Sequence, residues 1–337
     1  MRRPWLAPLT PVYAAAVALR NRRIEDGSEP IRRLAWPVVS IGSISAGGAG
    51  KTPLTIALAK ALGGRGLHMD VLSRGYGRRS KRVERVDADG AAEEFGDEPL
   101  LIARETGVPV YVARQRFEAG QLAEAAQLVS TLPDIDLRAV HLLDDGFQHR
   151  QLHRDVDILL LDGRDWYEGG LLPAGNLREP IEAARRATAI AIPAGDGGRE
   201  LEESLRTWGW EGPVWRLRRR MEVPIVDGAV VAFCGIARPE QFFAGLEAAG
   251  VRIACRYAFR DHHGYTHSDL NRLIFSAGKM NAAAFVTTEK DWVRLGKMSS
   301  ALTKRLPLTT AGLRIEIERE DELIDWLTAR IANARRG

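Results

Sequence analysis

Apolar residues fall along this chain in short runs of four or five, each followed by a longer stretch with helical spacing. Val38-Val39-Ser40-Ile41 reads as a buried strand, and residues 54–62 read as a helix closed by Gly63-Gly64. The pattern recurs at Met69-Asp70-Val71-Leu72, Val140-His141-Leu142-Leu143 and Ile158-Leu159-Leu160-Leu161. Alternation of this kind from residue 36 to about 220 predicts a mostly parallel sheet with helices on both faces. The composition changes at Arg216, Arg218, Arg219, Arg220 and Pro224, and Val230-Val231-Ala232-Phe233 begins a second series. Further strands are expected at 251–254, 284–287 and 313–317, and a helix at 321–334. The expected architecture is therefore α/β: a parallel-sheet domain over 34–220, a smaller α/β lobe over 221–337, and a cleft between them.

The first 33 residues stand apart. Residues 5–19 are apolar except for Thr10, contain Pro8 and Pro11, and run into Arg20, Arg22 and Arg23. Those 15 residues fall short of the roughly 20 that a spanning helix needs. Met1-Arg2-Arg3 suits the start of a signal peptide. Export, however, would part the nucleotide site beginning at residue 45 from cytosolic ATP. Two readings stay open: a helix packed on the body, or one lying in a membrane interface with its arginines among the headgroups.

Charge sharpens this. The net charge is +4 over 337 residues, and residues 1–33 hold seven arginines against three acids, leaving 41 basic and 41 acidic residues elsewhere. A neutral body argues against nucleic acid as a partner. A basic terminal arm suits an anionic lipid surface. Hydrophobic and charged fractions of 45% and 27% exclude a disordered or multi-span membrane chain. Cys234 and Cys255 lie in separate strand-like runs and read as two buried free thiols.

The clearest chemistry is Ser45-Ala46-Gly47-Gly48-Ala49-Gly50-Lys51-Thr52, between a strand and a helix with Pro53 in its first turn. That order is a P-loop, although Ser45 stands where the first glycine usually does. Backbone N–H groups of such a loop wrap phosphate oxygens, and the helix N-terminus adds a positive dipole. Lys51 would reach the β- and γ-phosphates of ATP, and the Thr52 hydroxyl would ligate Mg²⁺. Carboxylates end two strands, Asp144-Asp145 and Asp162, and spacing alone cannot choose which would hold the metal.

Three polar segments remain. Residues 73–82, basic and glycine-rich, read as a mobile loop or as a clamp for a second anionic substrate, with Arg74 best placed. Gly96-Asp97-Glu98-Pro99 opens a helix, with Asp97 either its N-cap or a general base. Leu172-Pro173-Ala174-Gly175-Asn176-Leu177-Arg178-Glu179 is a loop whose charged pair would face phosphates and metal. His262, His263 and His267 lack a partner spaced to complete a zinc site, so a catalytic-loop histidine is expected.

Together these segments resemble the tetraacyldisaccharide 4'-kinase family of lipid A biosynthesis. The matching stretches are 45–53, Ser73-Arg74-Gly75-Tyr76-Gly77, Gly96-Asp97-Glu98-Pro99, Asp144-Asp145-Gly146-Phe147-Gln148-His149, Leu172-Pro173-Ala174-Gly175 with Arg178-Glu179, Phe259-Arg260-Asp261-His262-His263 and Thr287-Thr288-Glu289-Lys290-Asp291. The resemblance implies a P-loop kinase using ATP and Mg²⁺, peripheral on the cytoplasmic face of the inner membrane. It would phosphorylate the 4'-hydroxyl of a tetraacylated glucosamine disaccharide 1-phosphate. It implies Asp97 as base with His262 as its partner across the lobes, and Lys51 as a catalytic charge. It favours Asp144 and Asp145 over Asp162 for the metal, with Glu179 nearby, and sets Arg74, Gln148 and Arg178 on the substrate side. The alternative is a soluble P-loop GTPase or ATPase of regulatory or metallochaperone type. Thr288-Glu289-Lys290-Asp291 only approximates the base-reading motif of such a GTPase.

Overall fold

The computed structural model describes residues 3–128, 139–223 and 225–335; Arg2 and Pro224, singled out above, lie outside them. Among the described residues, twelve strands form one sheet. Seven belong to the first series: β1 (Val38–Ser43), β2 (His68–Ser73), β3 (Glu84–Arg85), β4 (Val110–Val112), β5 (Ala139–Asp144), β6 (Val156–Leu160) and β7 (Ala189–Pro193). Then come β8 (Val214–Glu222), β9 (Ala229–Cys234), β10 (Arg252–Ala258), β11 (Ala284–Thr288) and β12 (Leu308–Ile317). Their order across the sheet is β10-β9-β11-β12-β8-β7-β6-β1-β5-β2-β4-β3. All neighbouring pairs are parallel except β12 with β8 and β3 with β4.

The basic run where composition changes is strand β8. It pairs in parallel with β7 and antiparallel with β12, so backbone pairing carries the sheet from one series into the other. Its first half alternates: Trp215 and Leu217 turn into the core while Arg216 and Arg218 turn away, and the exposed run Arg218-Arg219-Arg220 follows. The main core crosses the same join. Leu54, Leu58 and Leu62 of the helix Lys51–Gly64 pack with Leu100 and Ile102 and with Ile315 and Ile317 of β12. Those three leucines are fully buried, each contributing about 1.5–3 kcal/mol. Of the two cysteines, Cys234 is buried and Cys255 on edge strand β10 is only half-buried, so the expectation of two buried thiols holds for the first alone.

One charged cluster sits inside this apolar sheet. Asp70 of β2 and His141 of β5 are register partners, both fully buried. His141 Nδ1 lies 2.8 Å from Asp70 Oδ1, and its Nε2 lies 3.3 Å from Glu124 Oε1. Trp36 stacks on the ring at 5.1 Å. Burial alone would push the imidazole down; the two flanking carboxylates outweigh it and push it up to about 9. A group protonated more strongly in the folded state stabilises fully below its unfolded pKa and ceases to as pH rises through its folded one. Urea unfolding should therefore show stability falling from about pH 6.5 towards pH 9. His141→Gln should be less stable at pH 6 and lack that decline.

Candidate active site

β1 ends beside β5 and β6 near the sheet's middle, and the chain turns there through residues 44–50 into the helix Lys51–Gly64. Gly47, Gly48 and Gly50 have positive φ, which only glycine adopts freely. The polar loop at 172–179 is strapped to this turn. Arg178 N donates to Ile44 O at 2.6 Å, and Ala46 N donates to Asn176 O at 2.8 Å. Two segments far apart in sequence thus form one wall.

Lys51 Nζ lies 3.3 Å from Ser43 Oγ and 3.5 Å from Asp145 Oδ1. Thr52 is buried beside it, and the Thr55 hydroxyl donates to Asp144 Oδ1 at 3.1 Å. Burial, then Glu98 and Asp145, push Asp144 up to about 7. Arg178 Nη1 donates to both oxygens of Asp145 at 2.9 Å and to Gln148 Oε1 at 3.2 Å. Against its burial, Lys51 and Arg178 hold Asp145 below the usual carboxylate range. Glu179 accepts from Arg186 at 2.7 Å and from Asn21 at 3.3 Å through Oε2, while its buried Oε1 has no hydrogen-bond partner among the described residues. Asp162 is occupied otherwise. It caps the helix Gly163–Glu168 and lies 3.3 Å from Arg238.

Asp97 is the first residue of the helix Asp97–Thr106, whose N-cap is Gly96 rather than Asp97 itself. A Cβ at Gly96 would stand 3.1 Å from Gly75 Cα, so the basic loop and this helix start touch through two glycines. The Asp97 carboxylate is free to reach out of its own half. Arg294 donates to its Oδ2 through Nε at 2.8 Å and Nη2 at 2.5 Å, and His262 Nδ1 lies 3.2 Å away. Burial opposes ionisation, but His262, Arg294 and Lys290 overcome it and hold Asp97 well below the carboxylate range. The bond to Asp97 in turn raises His262. The His262 ring packs against Tyr76 at 5.2 Å, tilted by 58°, while His263 pairs with Asp269 at 3.0 Å.

Lys51, Thr52, Asp144, Asp145, Arg178, Glu179 and His262 border one cleft of about 1220 Å³, lined from both halves of the chain; Asp97 and Arg294 are not in its lining and meet it through His262. Its far wall is basic, with Arg20, Arg74, Arg114 and Arg116, and Arg178 adds a further charge on the phosphate-loop side. Arg116 is almost fully buried, and burial first pushes it down to about 10. His149 is pushed down to about 3 by burial and then by Arg116, Arg154 and Arg20, so it stands neutral among arginines. Arg116, Arg238 and Arg294 were not singled out from sequence. His149 and Lys290 fell within matching stretches, without a role of their own.

The N-terminal helix Thr10–Glu25 closes one side of the cleft. The Tyr13 hydroxyl donates to Arg178 O at 3.0 Å and Arg20 donates to Gln148 O at 2.5 Å. Val12 and Leu19 on this helix, and Trp5 and Leu9 in the 3-10 turn Pro4–Leu9 before it, are 54–74% exposed. Among the described residues, no helix is long and apolar enough to cross a membrane.

The family model for Tetraacyldisaccharide-1-P 4'-kinase matches residues 2–332. A tetraacyldisaccharide 4'-kinase of Koribacter versatilis is 38% identical over 98% of this chain and 99% of its own. One from Chromobacterium violaceum is 35% identical over 97% of this chain and 93% of its own. A solved structure of LpxK from Aquifex aeolicus, described as an "apo" form in complex with ATP, has a TM-score of 0.73. It is 30% identical and covers 97% of this chain and 98% of that one.

Asp97 and Arg294 are 5% and 7% exposed, so deleting the carboxylate leaves the buried Nε and Nη2 of Arg294 without their carboxylate acceptor, with Nη1 still held by Asp291 and the Gly235 carbonyl. Asp97→Ala should lower unfolding free energy by about 3 kcal/mol, against about 1 kcal/mol for a lost cap. Adding Arg294→Met should recover part of that loss in urea denaturation.

Proposed function

The chain belongs to the tetraacyldisaccharide-1-P 4'-kinase family, and on that premise we propose that it transfers the γ-phosphate of ATP to the 4'-hydroxyl of tetraacyldisaccharide 1-phosphate in lipid A biosynthesis. One observation carries the reading: Lys51, Thr52, Asp144, Asp145 and His262 face a single cleft with a basic far wall. The regulatory GTPase or ATPase alternative has no such need for a second anionic subsite. Its near-miss motif is also spent, because Asp291 is fully buried and accepts from Gly235 N at 3.0 Å, Tyr265 at 2.9 Å and Arg294 at 2.9 Å. The same reading keeps a nucleotide domain at 34–220 and a smaller lobe at 221–337, both of which contribute to the cleft.

Phosphoryl transfer is mostly positioning and charge neutralisation. The loop amides of residues 45–52 and Lys51 take the phosphates. Thr52, Asp144 and Asp145 are hard oxygen donors, a set that suits magnesium, which needs few protein ligands when phosphate oxygens and water complete its shell. Burial first, then the charges of Glu98 and Asp145, raise Asp144, and a cation there would relieve that strain on its ionised form. Glu179, with Oε1 unpaired, is the further acid beside it. Thr52, Asp144 and Asp145 would hold magnesium there, and it would supply charge that neutralises the phosphates.

Asp97 is ionised at neutral pH and takes the acceptor hydroxyl's proton as the oxygen–phosphorus bond forms. Protonated His262 orients that carboxylate and offsets its charge until the proton arrives. Arg74, Gln148 and Arg178 hold the lipid disaccharide, and Arg116 adds charge for its 1-phosphate. The N-terminal helix lies on the cytoplasmic face of the inner membrane, with Trp5, Leu9, Val12 and Leu19 towards acyl chains and its arginines at anionic headgroups.

With γ-labelled ATP and tetraacyldisaccharide 1-phosphate, label should move to the lipid. Lys51→Ala should abolish transfer, and Asp97→Asn should lower kcat by about 10²–10⁴ with ATP binding retained. Unlabelled lipid with the folded wild-type chain would refute the proposal. Deleting residues 1–23 should release the protein from anionic vesicles, each arginine near the surface being worth about 1 kcal/mol. Unchanged sedimentation with vesicles would make the helix a structural element only.

A further inference from the structure

The segment Gly235-Ile236-Ala237-Arg238 follows β9 and precedes the helix Pro239–Ala248, in the second half of the chain. It rests directly on the phosphate loop. A Cβ added to Gly47 would stand 3.1 Å from Ala237 Cβ, and one added to Gly48 would stand 2.8 Å from Arg238 Nε. Those two glycines therefore serve twice: each has positive φ, and each leaves room for this segment. The Arg238 side chain is 17% exposed and borders the cleft together with Lys51 and Thr52. Its one ion pair among the described residues is a 3.3 Å contact from Nη1 to Asp162 Oδ2. The other Asp162 oxygen accepts from Asp165 N at 2.9 Å. A guanidinium carries five N–H donors, and this contact uses one. Nearby, Arg219 Nη2 donates to Ala49 O at 2.7 Å, fixing the loop's backbone from outside.

We infer that Arg238 is an arginine supplied in cis to the transferring phosphoryl group, and that Asp162 holds it in place. The inference rests on the reading of residues 45–52 as the ATP loop. In phosphoryl transfer, negative charge spreads over the γ-phosphate oxygens, and an arginine brought to them stabilises that charge. Arg238 comes from the opposite half of the chain, against the two glycines that precede Ala49-Gly50-Lys51. Contact with the γ-phosphate thus requires both halves to be together, which ties closure of the cleft to the chemistry. Asp162 is a positioning residue: its carboxylate aims the guanidinium and yields it when the more highly charged triphosphate arrives.

The test is calorimetric titration of the full chain with ATP and with ADP, each with Mg²⁺, alongside steady-state kinetics and thermal melts. Arg238→Ala should bind ATP about tenfold or more weakly with ADP affinity unchanged, the loss expected for one charge-assisted hydrogen bond to the γ-phosphate. Its kcat should fall by about 10²–10³, as when one preorganised donor is removed. Arg238→Lys should restore part of the ATP preference. Asp162→Asn keeps a capping side chain, and it should keep the ATP preference with a much smaller loss of rate. Equal weakening of ATP and ADP, or of neither, would overturn the inference. So would an Asp162→Asn protein matching Arg238→Ala in every readout, because the pair would then be structural. A folded wild-type chain that binds neither nucleotide refutes the ATP loop itself, and this role of Arg238 with it.

Discussion

A carboxylate buried at the first turn of a helix must find cations, and Asp97 finds its own in the other half of the chain. Arg294 grips it twice, and His262 stands on the same oxygen. The next residue repeats the arrangement, with Glu98 accepting from Lys290 at 2.5 Å. Lys290 and Arg294 are one helical turn apart, so two consecutive acids meet two cations on one face. Arg294 is itself held by Asp291 and by the Gly235 carbonyl. Desolvating so many charges is unfavourable unless each is paired. That condition fixes how the two halves meet, and hence the width of the cleft and the position of the segment bearing Arg238.

The cleft has a division of charge that follows from where the strands end. β1 and β5 deliver Lys51 and the two carboxylates at their C-terminal ends, the usual ligand position in an open α/β sheet. The loops after β2 and β4 deliver Arg74, Arg114 and Arg116 on the far side. Such crowding of like charge is tolerable only where it awaits an anion or is offset by acids. Arg116 illustrates both, with burial and Arg74 depressing its pKa while Asp145 and Asp144 support it. His149 resolves the same conflict by staying neutral.

The N-terminal helix joins these two themes. Its polar side reaches Arg178, Glu179 and Gln148, beside the carboxylates of the cleft. Its apolar side has no cover among the described residues. A surface of this kind either meets another apolar phase or remains a solubility burden. Here it stands at the edge of the space assigned to a lipid substrate, so one helix can serve the site and the surface that delivers the substrate.

Much was decided locally. The strand–loop–helix order around residues 45–52 was legible because a P-loop needs only contiguous residues: glycines for positive φ, a lysine, a hydroxyl, and a helix start. The parallel α/β class was legible for the same reason, since short β-branched runs alternating with helical spacing leave few architectures. The two readings of the N-terminal segment were legible only as a pair, because whether its apolar face packs or stays open depends on distant partners. Long-range pairing was left to the tertiary structure. The run at 216–220 marked a change of composition, and only sheet register makes it the strand joining both series. Asp162 and Asp144 end strands in the same way, and only their neighbours differ: Arg238 and a helix start for one, Thr55 and Lys51 for the other. Arg294, Arg116 and Arg238 carry no local signature, because a charged side chain's role is set by what is desolvated beside it. Sequence spacing reports what lies along one element; the energy of a buried charge depends on elements brought together from hundreds of residues apart.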